Sequence, residues 1–196
     1  DNEFITGLRK LGDENDIILI FDEIQCGMGR TGKMFAYQHY GVKPDIMTSA
    51  KALGCGVPIG AFAACKEVAD AMCPGDHGTT YGGNPLATAA ACKVFEIYKE
   101  KDILGHVNEV APYLKKRLDE LKDKYGKIIT DVRGMGLMLG MELSIPAGEI
   151  VSEALKSGLI LISAGTNIIR FVPPLVVEKE HIDMTFDILD KVFSAK

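Results

Sequence analysis

An acid and an amine stand just after two predicted strands in the first third of the chain. Asp22 follows the apolar run Ile17–Phe21, and Lys51 follows the shorter segment Ile46–Ser49. In open α/β sheets ligands bind at the carboxyl ends of strands, so both side chains are expected at one crevice. A neutral amine can attack an aldehyde, and a carboxylate beside a pyridinium nitrogen keeps that nitrogen protonated. The two residues are therefore compatible with covalent chemistry on a carbonyl compound.

Both side chains also have ordinary structural explanations. Lys51 is the only charged residue between Ile46 and Cys65, but a lysine at a helix start commonly extends along apolar surface to water. A carboxylate at a strand end commonly caps a turn. The surrounding residues alone favour the structural explanation for Lys51. For Asp22 they favour neither the structural nor the functional explanation. The same stretch is about long enough to cross a bilayer, but its glycines, Pro58 and the lysine would interrupt such a helix, so we predict buried loop and strand.

Two glycine-rich segments could bind phosphate. Gly27–Gly32 matches the G-x-G-x-x-G pattern of dinucleotide sites, but no helix is predicted directly after it, and no acid ends a second strand about twenty residues on. His77–Pro85 leads into a helix that Asn84 can cap, and its hydroxyls and backbone N–H groups could hold a phosphate. A nicotinamide-binding enzyme is a weak alternative for the first segment, and a plain turn is favoured for the second taken alone.

One arginine in the second half of the chain is a candidate for binding a substrate. Arg170 lies among β-branched residues in the segment Asn167–Val172. Its guanidinium could bind a substrate carboxylate through two parallel hydrogen bonds, or simply face solvent. Arg133, which precedes Gly134, is interpreted as structural.

Composition excludes several classes of function. The 196 residues carry a net charge of -5, which gives no electrostatic basis for binding nucleic acid or an anionic membrane. The five cysteines contain no C-x-x-C pair, and the four histidines are scattered, so zinc-type spacing is absent. An odd number of cysteines in a chain of this size favours reduced thiols in the cytoplasm. No signal peptide is recognised.

The order of predicted elements indicates an α/β fold in two parts. We predict a first domain over residues 1–100 and a small α+β domain over 101–196. The predicted strands are Ile17–Phe21, Ile46–Ser49, Val57–Ala64, Ile128–Val132, Leu137–Leu143, Leu159–Ile162 and Ile168–Val172. The predicted helices are Phe4–Asp13, 85–100, His106–Lys124, Ala147–Ser157 and Glu178–Phe193.

Taken together, these segments resemble the class III aminotransferases, enzymes of fold type I that use pyridoxal phosphate. The resemblance covers essentially the whole chain. It is carried by Phe21–Gln25 with Gly29–Gly32, Pro44–Ile46 with Ser49–Gly54 and Pro58–Ala61, His77–Pro85, Arg133–Met138, and Arg170–Pro174. It implies the C-terminal part of a fold type I large domain, followed by a small α+β domain.

The resemblance assigns roles around the cofactor. Lys51 is implied to form a Schiff base with pyridoxal phosphate and to move a proton between substrate and cofactor, while Asp22 pairs with the pyridine nitrogen. Gln25 is implied to reach the ring hydroxyl, and Ile24 to pack on the ring face. Thr80 is implied to bind the phosphate of the neighbouring subunit's cofactor, which means a homodimer with shared sites.

The resemblance also points to a substrate. Arg170 is implied to hold a substrate carboxylate, and Lys51–Gly54 with Val57–Ala61 is more similar to the acetylornithine branch than to the ornithine or 4-aminobutyrate branches. Cys55 stands where glycine is common, and is expected to matter little. The implied reaction moves the terminal amine of N-acetylornithine to 2-oxoglutarate, a step of arginine biosynthesis. Ornithine, succinylornithine and 4-aminobutyrate aminotransferases, an aminomutase, and a non-catalytic dimerisation or binding domain stay open.

The start of the chain suggests a fragment. The sequence begins at Asp1 without methionine, and its first helix leads into a strand like the second half of a βα unit. The resemblance matches only the C-terminal half of the family. The family's main phosphate turn, its ring-stacking aromatic and a second substrate arginine belong to the other half. We therefore expect these residues alone to bind cofactor poorly and to be inactive.

Overall fold

Three short strands form the sheet of the first part of the chain. In the computed structural model, which describes residues 1–196, they are β1 (Ile20–Asp22), β2 (Ile46–Ser49) and β3 (Ala61–Ala64), in the order β1-β2-β3. β1 pairs with β2 in parallel, and β2 pairs with β3 antiparallel. Because β1 and β2 run the same way, their carboxyl ends lie side by side at the same end of the sheet.

Three helices accompany this sheet: α1 (Asn2–Asn15), α2 (Lys66–Asp70) and α3 (Pro85–Glu100). The predicted start of α3 is confirmed, because the Asn84 side chain accepts a hydrogen bond from the Ala87 N–H at 3.0 Å and Pro85 occupies the first helical position. The α3 residues Ala87, Ala91, Val94 and Tyr98 are buried.

The segment Ile17–Phe21 corrects one expectation. Its hydrophobic run predicted a strand covered on both faces, but the strand is Ile20–Asp22, and the Ile17, Ile18 and Ile20 side chains are more than half exposed. The Ile17 N–H donates to the Gly12 carbonyl at 2.9 Å and so closes the end of α1. β1 is also an edge strand, with a neighbour on one side only. Apolar composition alone therefore overestimated both length and burial.

The stretch between Ile46 and Cys65 was expected to be buried, and this is wrong for Lys51 and for much of its second half. β3 begins only at Ala61, and the Phe62 side chain is half exposed, at 50%. β3 lies at the other edge of the same sheet. A run without charges thus forms an exposed edge strand.

A four-stranded antiparallel sheet forms the second part. Its strands are β4 (Ile129–Met135), β5 (Met138–Leu143), β6 (Ile162–Ala164) and β7 (Ile168–Phe171), in the order β4-β5-β7-β6. The helices are α4 (Ile103–Lys124), α5 (Ala147–Lys156) and α6 (Lys179–Ser194). The structure divides the chain into two compact units between Leu104 and Gly105. The strand predicted at Leu159–Ile162 is wrong, since only Ile162 belongs to β6.

The core of the second unit contains Leu118, Ile129, Met141, Ile150, Ile169, Ile182 and Phe193, all at most 2% exposed. Polar contacts join α4 to α6 at the rim of this core. Asp183 of α6 accepts from the Tyr113 hydroxyl at 2.6 Å and also pairs with Arg117. No helix of the structure is long and apolar enough to cross a membrane.

Candidate functional site

Asp22 ends β1 with an exposed carboxylate that is held at one oxygen. Its Oδ1 accepts from the Ile24 N–H at 2.9 Å and from the Thr48 hydroxyl at 3.2 Å. Thr48 is the residue directly opposite Asp22 in the parallel β1–β2 pair. Neither hydrogen bond uses Oδ2, so the carboxylate can be held and still accept from a ligand.

Lys51 lies three residues beyond Thr48, at the carboxyl end of the neighbouring strand. It opens a short 3-10 helix, Lys51–Leu53, and has a left-handed backbone with φ +48°. The expected burial of this lysine is wrong, because its side chain is exposed. It lines a cavity of about 410 Å³ together with Ala52 and residues 55–59. No salt bridge engages its amine, which leaves the amine available to a ligand.

The turn after Lys51 is tight. A Cβ on Gly54 would overlap the Val57 carbonyl oxygen, so this position requires glycine. Cys55 is exposed and has φ +46°, a conformation that costs a non-glycine residue about 1–2 kcal/mol. Unusual backbone angles at Lys51 and Cys55 are typical of ligand-binding turns. The substitution of a common glycine by Cys55 therefore carries backbone strain, which its small size did not predict.

The residues after Asp22 form a turn organised by a carboxylate that the sequence did not single out. Ile24 and Gln25 are half-buried in this turn. Glu23 is 2% exposed, and its two oxygens accept from the Ala36 N–H at 2.8 Å and the Tyr37 N–H at 2.7 Å. A buried acid that binds two backbone amides fixes both segments. The position of Glu23 next to the candidate acid Asp22 could have drawn attention to it, but the sequence could not have shown its distant partners, Ala36 and Tyr37.

A thiol completes the same cluster. Cys26 donates to the Glu23 carboxylate at 3.3 Å. Burial, followed by the hydrogen bond to this carboxylate, raises the pKa of Cys26 to about 12. The thiol therefore remains a protonated donor at neutral pH.

Replacing Glu23 with alanine is expected to destabilise the full-length protein by about 2–4 kcal/mol, because the Ala36 and Tyr37 N–H groups lose their partner in a buried place. Glu23→Gln keeps one acceptor and should cost less. Urea unfolding monitored by fluorescence or circular dichroism measures the change. Glu14→Gln, at an exposed i,i+4 pair with Lys10, is the control and should stay within about 0.5 kcal/mol. Equal stability of the alanine variant and the wild type would contradict the assigned role.

The glycine-rich segment Gly27–Gly32 is a closed turn that precedes a 3-10 helix, Ala36–His39, and no α-helix follows it directly. Met28 is buried, with φ +51°, and its carbonyl accepts from the Tyr98 hydroxyl at 2.7 Å. Burial raises the pKa of Tyr98 to about 12. The segment lacks the helix N-terminus that a dinucleotide pyrophosphate requires.

Thr80 and Arg170 lie on other elements than Asp22 and Lys51. Thr80 lies in an exposed loop before α3, where the neighbouring Thr79 hydroxyl accepts from the Gly82 N–H at 3.1 Å. Arg170 is on β7, in the other unit, and its Nε is buried without a hydrogen-bond partner. It lines an apolar cavity of about 340 Å³. The structure thus places Asp22 and Lys51 at the carboxyl ends of two adjacent parallel strands, Thr80 in a loop of the same unit, and Arg170 on a strand of the other unit.

Comparison with known proteins gives a consistent result. The family model for Aminotransferase class-III matches residues 1–193. The acetylornithine aminotransferase of Methanocaldococcus jannaschii is 50% identical over 194 residues, which are 99% of this chain and 48% of that protein. That of Clostridium acetobutylicum is 51% identical over 190 residues, or 96% and 49% of the two chains. The chain therefore spans about half the length of the curated relatives it matches.

Solved structures show the same relation. N-acetylornithine aminotransferase from Stenotrophomonas maltophilia superposes with a TM-score of 0.88 at 36% identity, covering 100% of this chain and 52% of that one. Ornithine aminotransferase from Plasmodium yoelii gives 0.93 at 30% identity, with 100% and 52% coverage. Backbone similarity is thus higher to the ornithine aminotransferase, and sequence identity is higher to the N-acetylornithine aminotransferase.

Proposed function

The chain belongs to the class III aminotransferases, of fold type I, and from that membership we propose that the full-length protein moves the terminal amine of N-acetylornithine to 2-oxoglutarate, with pyridoxal phosphate as its cofactor. The observation that carries the proposal is the identity of about half of all residues with acetylornithine aminotransferases. Backbone similarity does not favour this donor, because an ornithine aminotransferase superposes with a TM-score of 0.93 and an N-acetylornithine aminotransferase with 0.88. Ornithine is therefore the second candidate donor.

The residues of the first unit fit the cofactor. An exposed amine at Lys51 has no ionic partner, and an exposed carboxylate at Asp22 follows the adjacent parallel strand. Pyridoxal phosphate carries an aldehyde, which an amine can capture, and a pyridine nitrogen, which a carboxylate can keep protonated. When bound, the cofactor supplies an electron sink that stabilises negative charge on the substrate carbon. Thr80 is the proposed phosphate ligand for a neighbouring subunit.

Each proposed residue has a distinct task. Lys51 would hold the cofactor through its amine and, once substrate frees that amine, would carry the proton between the substrate carbon and the cofactor carbon. Asp22 would keep the pyridine nitrogen protonated. Ile24 would pack on the ring face, and Gln25 would reach the ring hydroxyl. The buried Glu23 between these residues keeps the turn in place through its bonds to Ala36 and Tyr37.

Assembly and location follow from the same proposal. Thr80 can serve a neighbouring cofactor only in a homodimer, and its loop is exposed. All five cysteines are free thiols, which supports a cytoplasmic protein. A role in arginine biosynthesis follows from the proposed donor.

A donor panel tests the proposed reaction. The full-length protein, supplied with pyridoxal phosphate and 2-oxoglutarate, is assayed for glutamate formation with N-acetylornithine, ornithine, succinylornithine and 4-aminobutyrate. The largest kcat/KM is expected with N-acetylornithine. A larger value with ornithine would replace the proposed donor, and no glutamate with any donor would favour a non-catalytic binding domain.

Replacing Arg170 with glutamine is expected to raise KM for 2-oxoglutarate by about 10- to 100-fold, because a charge-assisted pair with the substrate carboxylate is lost. The Arg170 Nε is buried without a hydrogen-bond partner within the chain, so this donor is available to a ligand. Arg133→Gln is the control, since Arg133 already pairs with Asp131 and Glu142 in the same sheet. Steady-state kinetics decide. An unchanged KM for Arg170→Gln would remove the residue from the substrate site.

A further inference from the structure

Thr48 joins the two strands that carry the proposed catalytic residues. Its carbonyl accepts from the Glu23 N–H at 3.1 Å, and its hydroxyl donates to Asp22 Oδ1 at 3.2 Å. The pairing register places it directly opposite Asp22. Thr48 therefore contacts both the side chain of the proposed acid and the backbone that follows it.

We propose that Thr48 is a positioning residue, whose hydroxyl fixes the Asp22 carboxylate in the orientation that meets the cofactor's ring nitrogen. This inference rests on the proposed function. Asp22 is exposed, and an exposed carboxylate rotates freely among rotamers unless it is held. The bond from the Ile24 N–H is local and moves with the turn, whereas Thr48 belongs to the neighbouring strand.

The second bond thus couples Asp22 to the strand that leads into Lys51. Lys51 is three residues from Thr48, so both proposed catalytic residues depend on the position of β2. Both hydrogen bonds end on Oδ1. Oδ2 consequently remains available to pair with an incoming cation while Oδ1 stays bonded to the protein.

Thr48 also has an ordinary structural explanation, and the test must distinguish it from the proposed positioning role. Threonine is common in strands because its branched side chain suits a pleated surface. Thr48→Val keeps that branched shape and removes only the hydroxyl, and Thr48→Ser keeps the hydroxyl. Thr130→Val is the matched control, because Thr130 is also a strand residue whose hydroxyl donates to a carbonyl, that of Glu142, at 3.2 Å.

The experiment uses the full-length protein. Three quantities are measured: kcat, the dissociation constant of pyridoxal phosphate, and the pH midpoint of the bound cofactor's visible absorption. Thr48→Val is expected to lower kcat about tenfold, the low end for a lost hydrogen bond to a charged group, because the pair is exposed. It should also weaken cofactor binding and move the pH midpoint toward that of Asp22→Asn. Thr48→Ser should restore all three quantities, and Thr130→Val should leave them unchanged.

A double-mutant cycle distinguishes a loss of positioning from a variant that folds less well. Thr48→Val should have no further effect in an Asp22→Asn background if it acts through the carboxylate charge, whereas a general structural loss would add to it. Wild-type values for Thr48→Val, or additive effects in the cycle, would overturn the proposal and leave the proposed function intact. A wild-type protein that binds no pyridoxal phosphate would overturn both.

Discussion

Replacing Lys51 with alanine is expected to abolish transamination by the full-length protein, lowering kcat by about 10⁴-fold or more. The variant loses the amine that we propose captures the cofactor aldehyde and moves the proton, and acid–base catalysis alone contributes about 10²- to 10⁴-fold. Lys51 is exposed and makes no salt bridge, so its removal should leave the fold unchanged. Single-turnover and steady-state rates, with the visible absorption of bound cofactor, measure the effect.

Two controls separate chemistry from charge. Lys51→Arg keeps a cation but cannot capture an aldehyde, so it should be as inactive as the alanine variant. Lys43→Ala removes another exposed lysine of the same unit and should be fully active. A small primary amine added to the alanine variant is expected to restore part of the proton transfer. Activity of Lys51→Ala within tenfold of the wild type would assign the chemistry to another residue.

The sequence predicted the helices better than the strands. α3 matches its prediction because Asn84 and Pro85 give a local start signal that needs no tertiary contact. The segment Ile17–Phe21 was predicted too long, because its apolar pattern does not show that Ile17 closes a helix end. The Leu159–Ile162 prediction failed in a similar way, because the Leu159 N–H donates to the Ala154 carbonyl of α5 at 2.9 Å. A short apolar run reports hydrophobicity but not which residues find a pairing partner.

The candidate site was predictable in its residue types but not in its geometry. Strand-end positions placed Asp22 and Lys51 at one edge, since carboxyl ends of parallel strands coincide. The left-handed backbone of Lys51 and the burial of Glu23 depend on contacts made by other segments. Glu23 binds amides 13 and 14 residues away, a distance that no local motif encodes. Thr48 likewise became visible only through the strand register.

Replacing Asp22 with asparagine is expected to lower kcat by about 10²- to 10³-fold, the range for losing one preorganised electrostatic group. Asparagine has the same shape, and its carbonyl oxygen can still accept from the Ile24 N–H and the Thr48 hydroxyl. The substitution therefore removes the charge and keeps the position. Without that charge the ring nitrogen would be protonated less readily, and the electron sink that the cofactor supplies would be weaker. The effect should appear in kcat more than in KM for the amino donor.

Asp22→Glu tests position separately from charge, because it keeps the carboxylate and moves it by one methylene away from Thr48. Its kcat is expected to fall between the wild type and Asp22→Asn, since the pairing with the ring nitrogen depends on a distance that the strand register sets. Asp70→Asn removes an exposed carboxylate of the same unit, paired only with Lys66, and should change nothing. A kcat for Asp22→Asn within threefold of the wild type would show that the charge at the end of β1 does not act on the cofactor. The ring nitrogen of a cofactor held by Lys51 would then need a partner other than Asp22.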